Sequence, residues 1–89
     1  MPEQPEPVAF VVMIGDAPIA VAHTMAAAMD AALTAEKRHG HGDGQYEYLW
    51  SEHSPTEWRL KSRRQGGDRN RFAWTLRSIR TAPLLNPAA

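Results

Sequence analysis

Val8-Ala-Phe-Val-Val-Met-Ile14, followed at once by Gly15-Asp-Ala-Pro-Ile-Ala-Val-Ala22 and then by Thr24-Met-Ala-Ala-Ala-Met29, is the stretch that decides the fold. The first run is apolar and mostly β-branched, as a strand requires, and Gly15-Asp16 suits the positive φ angles of a tight hairpin turn. Pro18 has no N–H and is tolerated at a strand start or an edge, so Ile19–Ala22 reads as a returning strand. From Thr24 the period changes. Met25, Met29, Ala32 and Leu33 recur at three- and four-residue spacing while Asp30, Thr34 and Lys37 fall on the other side, which predicts an amphipathic helix. Thr24 is placed to cap it, Lys37 and Arg38 lie in the last turn where the macrodipole favours cations, and Gly40 can take the left-handed position beyond the end. Six alanines between positions 26 and 35 make the helix thin, with Met25, Met29 and Leu33 as its expected core contacts.

Downstream, Tyr46-Glu-Tyr-Leu-Trp50 alternates its aromatics in strand fashion and Ser54-Pro55-Thr56 supplies a turn. Trp58–Arg64 and Arg71–Arg80 both run at period two, with a hairpin signal in Gln65-Gly-Gly-Asp68 between them. The expected order is β-β-α-β-β-β. This is an α+β fold: a single two-layer domain with an antiparallel sheet of about five strands and one helix packed on one face. Residues 1–7, with three prolines and two glutamates, read as a disordered N-terminal tail, residues 8–82 as the domain and residues 83–89 as a C-terminal tail.

The chain has 89 residues, ten Lys plus Arg against ten Asp plus Glu, and no cysteine. Disulfides, thiolate-ligated metals and thiolate nucleophiles are therefore excluded, and stability must come from packing or a partner. The apolar run at 8–14 is about half the length of a signal peptide or membrane span, so a cytoplasmic protein with no membrane partner is expected. A helix of about fifteen residues is roughly 10 Å wide, whereas five strands make a sheet about 24 Å across. One helix leaves much of that sheet bare. The 8–14 strand is apolar on both faces, Val8, Phe10, Val12 and Ile14 against Ala9, Val11 and Met13, so its second face needs cover from a curled sheet or from a partner. A homodimer or a protein partner is the expected source.

Candidate chemistry is sparse. His39, His41 and Asp43, with His23 and His53 elsewhere, offer nitrogen and oxygen ligands, but a loop with three glycines lacks the rigid frame of a metal site. Gly40-x-Gly42-x-Gly44 follows a helix and leads into a strand, the reverse of a phosphate cradle. Ser51, Glu52, His53 and Ser54 hold the residue types of a hydrolase triad, yet neighbours in a strand point to opposite faces. Glu47, Glu52 and Glu57 show no sign of a desolvated acid beside an ionised one. No enzyme, cofactor, metal or small-molecule substrate is expected.

Zero net charge hides a cancellation. Residues 1–58 carry nine acids against two bases, a balance of −7, and residues 59–89 carry eight bases against one acid, a balance of +7. Arg59, Lys61, Arg63, Arg64, Arg69, Arg71, Arg77 and Arg80 form a basic meander interleaved with Trp58, Phe72 and Trp74, the composition of sheets that bind single-stranded nucleic acid or another polyanion. Trp58 and Leu60, however, are out of phase with Arg59, Lys61 and Arg63. The aromatics are therefore expected in the core with the cations in solvent, paired with acids from elsewhere. Phe10, Val12, Met25, Met29, Leu33, Trp50, Trp58, Phe72 and Trp74 are the expected core or interface residues.

Glu47-Tyr-Leu-Trp50, Glu52-His-Ser-Pro55, Glu57-Trp-Arg-Leu60 and Phe72-Ala-Trp-Thr-Leu-Arg77, with abundant Ala, Arg and Pro, resemble short uncharacterised proteins of high-GC actinobacteria and their phages. The resemblance runs from Val8 to about Leu85 and implies no catalytic residue. The expected function is a small non-enzymatic interaction module that self-associates or docks on a protein partner through an apolar sheet face. The alternative is a nucleic-acid-binding protein using the basic meander.

Overall fold

The computed structural model of the chain describes residues 8–39, 45–65 and 71–84. The elements are β1 (Val8–Ile14), β2 (Ala17–Ala22), α1 (Met25–His39), β3 (Tyr46–Ser54), β4 (Glu57–Arg64) and β5 (Ala73–Pro83). The five strands form one open antiparallel sheet in the order β2-β1-β5-β4-β3, with a single helix, an α+β architecture. The last strand closes the fold by inserting between β1 and β4, so the two hairpins are joined through β5.

Local chemistry explains the element ends. Gly15, at φ 57°, turns the first hairpin, where a residue with a Cβ would be strained. Thr24 caps α1: its Oγ1 accepts from Ala27 N at 3.1 Å, and Lys37, Arg38 and His39 occupy the last turn. Ser54 Oγ accepts from Thr56 N at 3.2 Å and fixes the β3–β4 turn around Pro55. Several boundaries differ from the sequence reading: β3 runs on to Ser54, β4 begins at Glu57 and β5 begins at Ala73. β2 begins at Ala17, with Pro18 inside it, because the β1–β2 register shifts there: Val12 pairs with Ala20 but Met13 with Pro18. β5 runs through Pro83 opposite Val8, one residue past the expected domain edge. The glycines at 40, 42 and 44, His41, Asp43, Arg69 and most of the Gln65–Asp68 turn lie outside the described residues.

The helix packs on β1, β5 and β2. Val12, Ala28, Ala32 and Ile79 form the buried centre, with Phe10, Ala22, Met25, Met29 and Trp50 packed around it. The buried stripe of the helix is Ala28, Ala32 and Glu36, not the expected Met25, Met29 and Leu33, which are half-buried. Small side chains at i and i+4 let the helix backbone approach the sheet, and the longer residues then pack along its flanks. Glu36 sits in the stripe because Arg77 meets it there, Nε to Oε1 at 2.7 Å, with each side chain only 6% exposed.

Candidate interaction face

Register assigns each strand residue to one of two faces. Phe10–Thr81, Val12–Ile79 and Ile14–Arg77 are cross-strand pairs, as are Ile79–Trp58, Trp58–Glu52 and Leu60–Trp50. Because Val12 and Ile79 meet the helix, all of these residues lie on the helix side. The opposite face therefore carries Ala9, Val11 and Met13 of β1, Val21 of β2, Ser78, Arg80 and Ala82 of β5, Glu57, Arg59, Lys61 and Arg63 of β4, and Glu47, Leu49 and Ser51 of β3. Among the described residues no helix covers it.

β1 does not need a second layer. Ala9 and Met13 are each only 7% exposed within the single chain. The second face of β1 is thus largely buried within the single chain at these two positions, while Val11 between them is half-buried. Large apolar side chains are left in water at Ile14 on the end of β1, Ile19 and Val21 on β2, Leu49 on β3, Leu76 on β5 and Leu84 just beyond it, with Val21 the most exposed.

The β5–β4–β3 half of this face is a lattice of cations, rings and acids. Trp74 is the register partner of Lys61, and the Arg59 guanidinium stands 4.2 Å from the Trp74 ring centroid. The Arg63 guanidinium stands 4.5 Å from Phe72. Phe72 and Trp74, expected with Trp58 in the core or an interface, therefore stand among the cations of the open face and not beneath the helix. Trp74 and Ile79 are five residues apart and so of opposite parity; once Ile79 is buried under the helix, Trp74 must face away from it. That parity was readable in the sequence, whereas the choice between Ile79 and Trp74 was not.

Acids hold the same arginines. Glu57 accepts from Arg59 Nε at 2.7 Å and contacts Arg80 Nε at 3.1 Å, while Glu47 accepts from Arg63 Nε at 2.6 Å. The hydrogen bond from Arg59, opposed by partial burial and assisted by the charge of Arg80, holds the Glu57 carboxyl below the ordinary carboxylate range. Four cations, Arg59, Lys61, Arg63 and Arg80, thus stand on this face against two acids, and among the described residues Lys61 has no ion-pair partner. The other predicted cations lie elsewhere. Arg77 is buried on the helix side, Arg64 pairs in register with Tyr46 on that side, and Arg71 is exposed ahead of β5.

A two-residue excess in β5 organises the junction. The register steps from Arg59–Ser78 to Lys61–Trp74, so Thr75, Leu76 and Arg77 stand opposite Leu60. Leu76 takes φ 74°, and its carbonyl accepts from Gly15 N at 2.7 Å. Thr75 Oγ1 donates to the Leu60 carbonyl at 2.9 Å, and the Trp74 indole donates to the Arg77 carbonyl at 2.9 Å. Because the excess is two residues, the alternation stays in phase: Trp74 keeps the open face of Ser78 and is brought opposite Lys61. Nothing in the sequence marks it, since a leucine in a left-handed conformation carries no signal.

Among the described residues the histidines do not gather: His39 ends α1, and His23 and His53 are exposed in separate places. On the helix side Lys37 Nζ lies 5.7 Å from the Tyr48 ring centroid, and burial, with the charge of Glu36 nearby, raises the Tyr48 hydroxyl above its ordinary value. No family model matches the chain, and no curated protein or solved structure matches it. Among the described residues no helix is long and apolar enough to cross a membrane.

Proposed function

We propose that this chain is a small non-enzymatic, cytoplasmic interaction module that pairs with a second copy of itself along β2 and the apolar end of the open face. One observation carries the reading. Ala17–Ala22 is an edge strand without a single charged residue, and it exposes Ile19 at 47% and Val21 at 67%. Edge strands left in water are normally guarded by charge, because their free N–H and C=O groups invite pairing. Here Pro18 and the adjacent register shift blunt the first half, which leaves Ala20–Ala22 available. A two-fold antiparallel contact sets this stretch against itself, apolar on apolar, with no charge to repel.

Light scattering tests this. At tens of micromolar the mass should be twice the 9.9 kDa of one chain. Val21→Lys should weaken the dimer at least about tenfold, whereas Leu49→Lys on the far edge strand should not. A single-chain mass at every concentration contradicts the proposal.

A second reading, nucleic-acid binding by the β4–β5 meander, is favoured by a specific observation: Arg59, Lys61 and Arg63 share their face with Trp74 and Phe72. Cations for phosphates and planar groups for bases on one surface is the arrangement that single-strand binding requires.

A further inference from the structure

We propose that Glu57 is an internal stand-in for a backbone phosphate on this meander, and that a single-stranded nucleic acid laid along β4 displaces it from between Arg59 and Arg80. The inference rests on the nucleic-acid reading and adds the identity of the anion subsite and its gate.

Glu57, Arg59, Ser78 and Arg80 form one block of the open face, with Glu57 paired to Arg80 and Arg59 to Ser78 across β4 and β5. The carboxylate satisfies Arg59 but not the rest of the block. Its 3.1 Å contact with Arg80 is an ion pair without an aligned hydrogen bond, so Arg80 Nε is buried with no hydrogen-bond partner, and Ser78 Oγ, fully buried, is also without one. Buried donors left open in this way are costly. Held by its short tether to β4, the carboxylate gives Oε2 to Arg59 and meets Arg80 with Oε1 out of line. A backbone phosphate is not tethered to β4, and its two non-bridging oxygens diverge tetrahedrally, so it can approach both guanidinium groups in line.

The rest of the ladder fits an extended strand. Arg59, Lys61 and Arg63 alternate along β4, which spaces them by about 6.8 Å, close to the phosphate repeat of an unstacked single strand. The guanidinium groups of Arg59 and Arg63 stand over the Trp74 and Phe72 rings, which places cation and ring together where a base can stack. Glu57 is only 13% exposed and Glu47 is 37% exposed. The tighter clamp therefore falls on the Arg59–Arg80 subsite.

The test is fluorescence anisotropy of labelled oligo(dT) with the wild type, Glu57→Gln and Glu57→Asp, each shown folded by circular dichroism. Glu57→Gln should bind about tenfold more tightly, with a salt slope steeper by about one phosphate contact. Glu57→Asp, which keeps the charge but withdraws it by a methylene, should bind a few-fold more tightly and keeps the test open should the glutamine variant unfold. If the wild type binds and neither variant binds more tightly, the gate is wrong while the meander reading stands. If no form binds at low salt, both fall. Equal binding of poly-glutamate overturns the nucleic-acid assignment in favour of an acidic protein surface.

Discussion

Arg77 and Glu36 join the helix to β5 through one buried ion pair, each side chain 6% exposed. Two charges are kept from water there, and removing either takes from the other its buried counter-charge. Glu36→Ala or Arg77→Ala should therefore cost about 3–5 kcal/mol in urea unfolding, whereas replacing both with apolar residues of similar size should restore most of that. A loss under about 1 kcal/mol in the single variants would show that water reaches the pair. Glu57 makes a different prediction. Its carboxyl is lowered in the folded chain by the Arg59 hydrogen bond. A lowered folded value means the contribution is present above the unfolded pKa, about 4.3, and is lost as pH falls through the folded one. The stability gap between wild type and Glu57→Gln should accordingly close below about pH 4; a gap that persists at low pH would show that the ion pair is not its source. At this scale the sequence supplied the residue types. It could not supply the pairings, since Glu36 and Arg77 are 41 positions apart and only the register of β5 brings them together.

Among the elements, the bulge in β5 carries the most consequence. Leu76, 52% exposed with φ 74°, holds a left-handed conformation that costs a side-chain-bearing residue about 1–2 kcal/mol. Leu76→Gly should stabilise the fold by about 0.5–1 kcal/mol, since little packing is lost and the strain exceeds the added chain entropy. A destabilised variant would show that Leu76 packs on something in solution. Thr75→Val, which removes the bridge from the Leu60 carbonyl to Arg77 N, should cost about 1–3 kcal/mol. The elements themselves were legible: apolar runs, turn residues and the Thr24 cap locate all five strands and the helix to within a few residues. The bulge and the insertion of β5 between β1 and β4 were not, because pairing depends on contacts distant in sequence.

Across the whole molecule, the charge split between residues 1–58 and 59–89 resolves into short-range pairing on both faces of the sheet. Glu36, Glu47 and Glu57 come from the acidic segment, and Arg77, Arg63, Arg59 and Arg80 from the basic one. Much of the dipole is thus spent internally, with a surplus of cations on the open face around Lys61. The sequence showed that one helix could not cover the sheet; it did not show that Ala9 and Met13 of β1 would be buried within the single chain, which leaves the exposed apolar side chains at the ends and edges of the sheet, Val21 on β2 the most exposed of them. Amide hydrogen exchange followed against protein concentration tests that placement most directly. If two copies pair along β2, the amides of Ala20–Ala22 become protected as concentration rises while those on the outer edge of β3 do not change; concentration-independent exchange along β2, or protection that grows on β3 instead, would contradict it.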